Sequence, residues 1–142
     1  TIDLLIKGLR VADAAQTTAA LGMNYKFWEK TSITVDYNYY ANLYADFDIL
    51  GNANFTETGD TKNASVRNPG TWEVPSYHLF DASLRHGFKF GNFDTTVTAR
   101  VNNVFNTEYV SDALDGKSHT ATDALVWFGY GRTFSLSAKI KF

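Results

Sequence analysis

Thr133-Phe134-Ser135-Leu136-Ser137-Ala138-Lys139-Ile140-Lys141-Phe142 is the stretch that decides the fold. Phe134, Leu136, Ala138, Ile140 and Phe142 fall on one face, and Thr133, Ser135, Ser137, Lys139 and Lys141 on the other. Alternation with period two describes a β-strand with one apolar and one wet face. Termini usually fray into polar residues, so a strand that stays amphipathic to its final aromatic needs a partner for its apolar side. Lipid on one side and a watery lumen on the other would produce this pattern, in this strand and in its neighbours. The reading is an all-β chain, an antiparallel transmembrane β-barrel segment ending at its closing strand.

The rest of the chain repeats the pattern. Residues 1–15 are ambiguous, with Ile2, Leu4, Leu5 and Ile6 able to end a strand. From about Gln16 to Trp28, Ala19, Leu21, Met23, Tyr25 and Phe27 alternate with Thr18, Ala20, Gly22, Asn24 and Lys26. After a short turn at Glu29–Thr31, a second strand is expected over Ser32–Phe47, a third over Ser76–Phe90 and a fourth over Phe93–Asn106. The last runs from Val126 or Tyr130 to Phe142. Between the second and third lies Asp48–Pro75, rich in Gly, Asn and Pro and so a loop; Thr107–Leu125 reads as another. Connections therefore alternate short and long, as tight periplasmic turns and long external loops do in outer-membrane barrels. Phe27, Trp28, Phe90 and Phe93 flank the short turns, while Tyr44, Phe47, Tyr77, Tyr109, Trp127 and Tyr130 flank the long loops, as two interfacial girdles require. Five or six strands cannot close a membrane barrel, for which about eight is the minimum. The remaining wall must be supplied elsewhere, since open edges in lipid leave backbone groups unpaired.

Composition narrows the function. Hydrophobic residues make up 44% and charged residues 20%, while aromatics reach 15%. No apolar run is long enough for a helical span of about 20 residues. The absence of cysteine excludes disulfides, thiol catalysis and thiolate metal sites. A net charge of -2 without a long basic run argues against a nucleic-acid partner. No signal peptide is visible and the chain begins at Thr1, which suggests the C-terminal part of a longer precursor.

Several stretches resemble the end of TonB-dependent outer-membrane receptor barrels. Val101-Asn102-Asn103-Val104-Phe105-Asn106-Thr107-Glu108-Tyr109 resembles their Asn-Leu/Val-Phe-Asp/Asn-x-x-Tyr stretch, and Gly129-Tyr130-Gly131-Arg132-Thr133-Phe134 their Gly-Arg-aromatic approach to the final strand. Terminal Phe142, with Ile140 and Phe134, is similar to the signal read by the barrel-assembly machinery. Gly8–Thr18 and Tyr44–Phe47 look like Bacteroidota-type members. The resemblance covers essentially all of residues 1–142. It implies the last five or six strands of a barrel of about 22 around an N-terminal plug. It also implies active import of a scarce ligand: an iron chelate such as a siderophore, cobalamin, a glycan or a peptide. The implied partners are outer-membrane lipid, the remaining barrel and plug, the TonB complex acting through the N-terminal part, and in glycan importers a surface lipoprotein. Neither plug nor TonB box is visible here.

Among individual residues, Asn103, Phe105, Asn106, Tyr109, Gly131 and Arg132 read as structural, closing strands at the outer rim. Asp36, Asp81, Arg85, Lys89 and Arg100 share the wet face and fit a hydrated wall or a contact with the plug. Asp112 and Asp115, with His119, can offer oxygen and imidazole ligands, yet their spacing is not that of a calcium loop. Trp72 and Trp127 can stack on a ligand ring, or simply pack in loops. His78, His86 and His119 lack metal-binding spacing. No nucleophile elbow or phosphate loop occurs, so neither an enzyme nor a cofactor is expected. Two rivals stand beside the importer: another outer-membrane barrel, passive channel or enzyme, and a soluble β-sandwich that binds carbohydrate and buries its apolar faces between two sheets.

Overall fold

The computed structural model describes residues 10–47 and 70–142. In chain order the strands are β1 (Thr17–Trp28), β2 (Thr31–Ala41), β3 (Leu43–Tyr44), β4 (Glu73–Val74), β5 (Tyr77–Phe90), β6 (Phe93–Asn102), β7 (Val110–Leu114), β8 (Leu125–Phe128) and β9 (Thr133–Lys141). They divide into two compact units. One, the sheet unit, is Thr18–Tyr40, Ser76–Tyr109 and Gly129–Phe142; the other, the loop unit, draws its described residues from Thr1–Thr17, Ala41–Pro75 and Val110–Phe128.

The sheet unit is a five-stranded meander in the order β1-β2-β5-β6-β9. Its strands hold 12, 11, 14, 10 and 9 residues, against the roughly 9–11 tilted residues that cross a bilayer. Registers are antiparallel and continuous across β2, β5, β6 and β9. Because partners in a ladder share a face, the registers sort the side chains. Ile33, Leu84, Ala99 and Leu136 form one apolar row, and Val35, Ala82, Val101 and Phe134 the next. On the opposite face Ser32, Arg85, Thr98 and Ser137 form one row, and Thr34, Ser83, Arg100 and Ser135 another. A hydrogen bond from Asn24 Nδ2 to Thr34 Oγ1 at 2.7 Å puts the even residues of β1 on the polar face. The odd set from Ala19 to Phe27 therefore joins the apolar one.

The apolar face lies open. Leu21, Phe134 and Leu136 are 72%, 73% and 75% exposed. A contiguous apolar face of this size is foreign to soluble monomers and normal for a barrel wall in lipid. His86, which interrupts that face, is matched by Thr31, whose hydroxyl lies 2.8 Å from His86 Nδ1. The fold is antiparallel and all-β as expected, an open wall rather than a closed barrel.

The loop unit has its own small core of Leu43, Ala45, Val74 and Ala113. Leu43 pairs with Val74, and β7 with β8. A parallel bridge joins Asp46 to Leu114. Two boundaries differ from the sequence reading for one reason. Asn42 and Asn103 adopt φ of +55° and +51°, a left-handed conformation that Asn tolerates and a strand cannot contain. The second strand therefore stops at Ala41 rather than Phe47, and the fourth at Asn102 rather than Asn106. The expected loop Thr107–Leu125 contains β7 and the first residue of β8. Residues 1–9 and 48–69, and the expectations that fall on them, lie outside the described residues.

Candidate functional site

The Asn103–Tyr109 stretch builds a clasp at the end of the sheet opposite the two tight hairpins. Asn103 is buried, and its left-handed backbone turns the chain out of β6. Its backbone N–H donates to Asp81 Oδ1 on β5 at 2.8 Å. The side-chain oxygen accepts from Thr107 N at 2.8 Å, while Nδ2 donates to the carbonyls of Thr107 at 2.9 Å and Tyr130 at 3.3 Å. Asn106, also left-handed at +54°, accepts from Arg132 N at 2.9 Å through its side chain. The two asparagines thus tie the end of β6 to the approach to β9. Arg132 contributes its backbone to this network, and its side chain is exposed.

Aromatic rings and glycines complete the clasp. Tyr109 stacks on Tyr77 at 4.4 Å, and Tyr77 on Tyr40 at 4.9 Å. The register Tyr40↔Tyr77 places both on the polar face. Phe105 meets Phe80 edge-on at 5.1 Å. A Cβ at Gly129 would lie 2.0 Å from the Tyr109 ring, and one at Gly131 would lie 3.0 Å from Asn106 Oδ1, so both glycines permit a close approach that a larger residue would block. Burial, with Tyr40 and Asp81 nearby, pushes the Tyr109 phenol up, which favours its neutral form. Gly129 and the tyrosine stack were not legible as partners in the sequence. A Gly beside aromatics is the available signal, but it does not say which ring.

The five loop residues separate. Asp115 is buried and braces three segments. Its Oδ1 accepts from Trp72 N at 3.3 Å, its Oδ2 lies 2.5 Å from His119 Nδ1, and its backbone N–H donates to Asp46 O at 2.8 Å. The His119 ring also stacks on Phe47, and the Trp72 side chain packs against the loop core. Trp72, Asp115 and His119 therefore come together. Asp112 accepts from the N–H of the next residue, Ala113, while Trp127 is 45% exposed. Nearby, Asp123 accepts from Ser118 N at 2.8 Å and Ser118 Oγ at 2.6 Å. The Ser118 hydroxyl and then its backbone N–H hold the Asp123 carboxyl below the usual carboxylate range. Among the described residues no three His, Cys, Asp or Glu side chains are grouped to hold a metal.

The polar face carries one ion pair among the described residues, Arg100 to Asp81 at 3.7 Å. Asp36 sits opposite Asp81 in register, beneath Gly22, where a Cβ would lie 2.9 Å from Asp36 Oδ1. Phe134 and Ile140 lie on the apolar face, and Phe142 follows the last residue of β9 almost fully exposed.

Neither curated proteins nor solved structures give a match. The family model described as TonB dependent receptor-like, beta-barrel matches residues 2–104, well over half of the chain. The matched span takes in β1, β2, β5 and β6, the strands whose two faces divide lipid from lumen. Outer-membrane location leaves no role for the soluble sandwich, and the Bacteroidota subtype goes beyond what this match carries. An open, two-faced meander with bilayer-length strands and a matching family model agree: the chain belongs to the TonB-dependent receptor β-barrel family, whose members are outer-membrane transporters rather than enzymes.

Proposed function

We propose that residues 1–142 form the C-terminal portion of the barrel of an active importer of a scarce nutrient: a siderophore or other iron chelate, cobalamin, a glycan or a peptide. The observation that carries this reading is the family match over residues 2–104, which takes in four of the five strands of the wall, joined by short and long connections in alternation. In this reading the hairpins at Glu29–Lys30 and Gly91–Asn92 face the periplasm, and the connections 42–76 and 103–132 face outward. The apolar row on β9 serves assembly: Phe134, Ile140 and Phe142 present one aromatic-aliphatic edge to the barrel-assembly machinery. Asn103, Phe105, Asn106, Tyr109, Gly131 and Arg132 hold the rim. Trp72, Asp112, Asp115, His119 and Trp127 belong to the segments nearest an arriving ligand; a surface lipoprotein would meet the same segments. The plug and the TonB contact belong to the N-terminal part of the same polypeptide.

Peptide mapping of the intact polypeptide from purified outer membranes tests this. Peptides upstream of Thr1 that include a plug and a TonB box on the same chain are the expected result. A polypeptide with neither would sink the importer and leave a passive channel.

A further inference from the structure

Six cations occupy the hairpin end of the polar face: Lys26, Lys30, Arg85, Lys89, Lys139 and Lys141. Two acids, Glu29 and Asp94, share that end. The long-connection end differs, because there Arg100 is neutralised by Asp81 and also donates to Asn102 Oδ1 at 2.8 Å. Among the described residues, Arg85 and Lys139 have no carboxylate within 4.0 Å. The registers Ser32↔Arg85↔Thr98↔Ser137 and Thr96↔Lys139 set these two cations one step apart along the strands and on either side of β6. Neighbouring strands are about 4.8 Å apart, so the two backbones are separated by roughly 10 Å. Both side chains are long enough to reach a common point above β6.

That point is a recess of about 460 Å³. Its lining includes Arg85 and Lys139 with the hydroxyls of Ser32, Thr96, Thr98 and Ser137, and it contains no carboxylate. Arg85, Ser32 and Thr96 also line an adjoining recess of about 400 Å³, and Glu29 and Asp94 belong to that one alone. Gly87 keeps the floor of that neighbour low, since a Cβ there would press on Lys30 Cβ at 3.3 Å. Two cations with no carboxylate within 4.0 Å among the described residues, beside a ring of hydroxyls, are the donor set of an oxyanion site. Charge-assisted hydrogen bonds are the strong kind, and a guanidinium offers a planar fork to phosphate or carboxylate. The volume lies in the range of small-molecule sites.

We infer that Arg85 and Lys139 form a lumen-facing oxyanion site that takes a small solute bearing phosphate or carboxylate. The inference rests on the polar face lining the lumen, as in the proposed function, and needs no energised transport. The test uses the full-length receptor, purified in detergent, titrated with inorganic phosphate and with citrate at fixed salt. Wild type should bind at least one of the two saturably, and Arg85→Gln and Lys139→Gln should each weaken binding at least tenfold. A control pair outside this recess, Lys89→Gln with Lys141→Gln, should stay within twofold of wild type. Absence of saturable binding by wild type overturns the inference, as would happen if carboxylates of the receptor itself filled the recess. An equal loss in the control pair also overturns it, because diffuse charge would then explain the binding. Arg85 and Lys139 are exposed, and unchanged mobility of unheated samples in detergent gels confirms assembly; if one variant fails to assemble, the other decides. Ligand import, measured separately in cells, can fail while binding persists, which would sink the importer alone.

Discussion

Replacing Asn103 with Ala should loosen the rim clasp by an amount the structure allows one to work out. The substitution removes three side-chain hydrogen bonds, two short ones to Thr107 and a longer one to Tyr130 O. Net values of about 1 kcal/mol for each short bond and about half that for the long one are reasonable for buried groups. Alanine must also hold φ of +51°, which costs an L-residue about 1 kcal/mol more than Asn. The total is about 3–4 kcal/mol, or two to three orders of magnitude in local opening. Hydrogen–deuterium exchange on the full-length receptor, followed in peptides spanning 101–110 and 128–134, reads this directly. Asn103→Gly should recover about 1 kcal/mol, because it keeps the hydrogen-bond loss and relieves the backbone. Asn103→Asp should be no better than Ala, since its second oxygen would face the carbonyls of Thr107 and Tyr130. Exchange within threefold of wild type in Asn103→Ala, or no separation of Gly from Ala, refutes the reasoning.

Other outcomes follow from the two faces and the loop unit. Leu136→Arg puts a charge on the open apolar face and should cost roughly 2–4 kcal/mol of assembly if the site lies mid-bilayer. Ser137→Arg, one residue on and facing the polar side, should assemble normally; equal behaviour of the two in outer-membrane fractions would remove the facial assignment. Gly129→Ala must displace the Tyr109 ring and should destabilise the clasp by about 1–3 kcal/mol, read as faster exchange in the same peptides. Asp115→Ala strips partners from Trp72 N and His119 and should open the loop unit by about 2–4 kcal/mol, visible as new protease cleavage between 110 and 128. Asp123 titrates lower folded than unfolded, because Ser118 donates to its charged form. Its stabilising contribution is therefore complete above the unfolded value near 3.8 and is lost as pH falls through the lower folded value. Protease sensitivity at 118–123, assayed with an acid protease, should rise across that window in wild type and stay flat in Asp123→Asn.

The sheet was legible and the loop unit was not, for a physical reason. In β1, β5 and β9 each residue's face is fixed by its parity, so Leu21, Leu84 and Leu136 announce the apolar side without knowledge of any partner. The loop core is assembled instead from Leu43, Ala45, Val74 and Ala113, which lie on three distant segments. None of these segments is long enough to show a period. Asp115 illustrates the consequence. In the sequence it is a loop carboxylate able to offer oxygen ligands, whereas its burial and its bonds to Trp72 and His119 depend on residues 43 and 4 positions away. Strand ends were misread for a related reason. Asn42 and Asn103 are ordinary residues in an alternating pattern until their backbone turns left-handed, and propensity alone does not say which Asn will do so.

Register explains why a clasp is needed at all. A slip of one residue would carry every apolar side chain of a strand into the lumen and every charge into lipid. Between β5 and β6 the tight turn at Gly91–Asn92 prevents this. Between β6 and β9 no such turn exists, because the chain makes the whole excursion 103–132 before it returns. Here the restraint comes from side chains: Asn103 to Tyr130 O, Asn106 to Arg132 N, and Asn102 Nδ2 to Thr133 Oγ1 at 3.1 Å. The connection from β2 to β5 is longer still, and there the stack of Tyr40 on Tyr77 joins the two ends. Residues within a few positions of the strands thus carry the duty of register. β7 and β8 make none of these contacts, so substitutions within them should leave the register of the wall, and its division between lipid and water, unchanged.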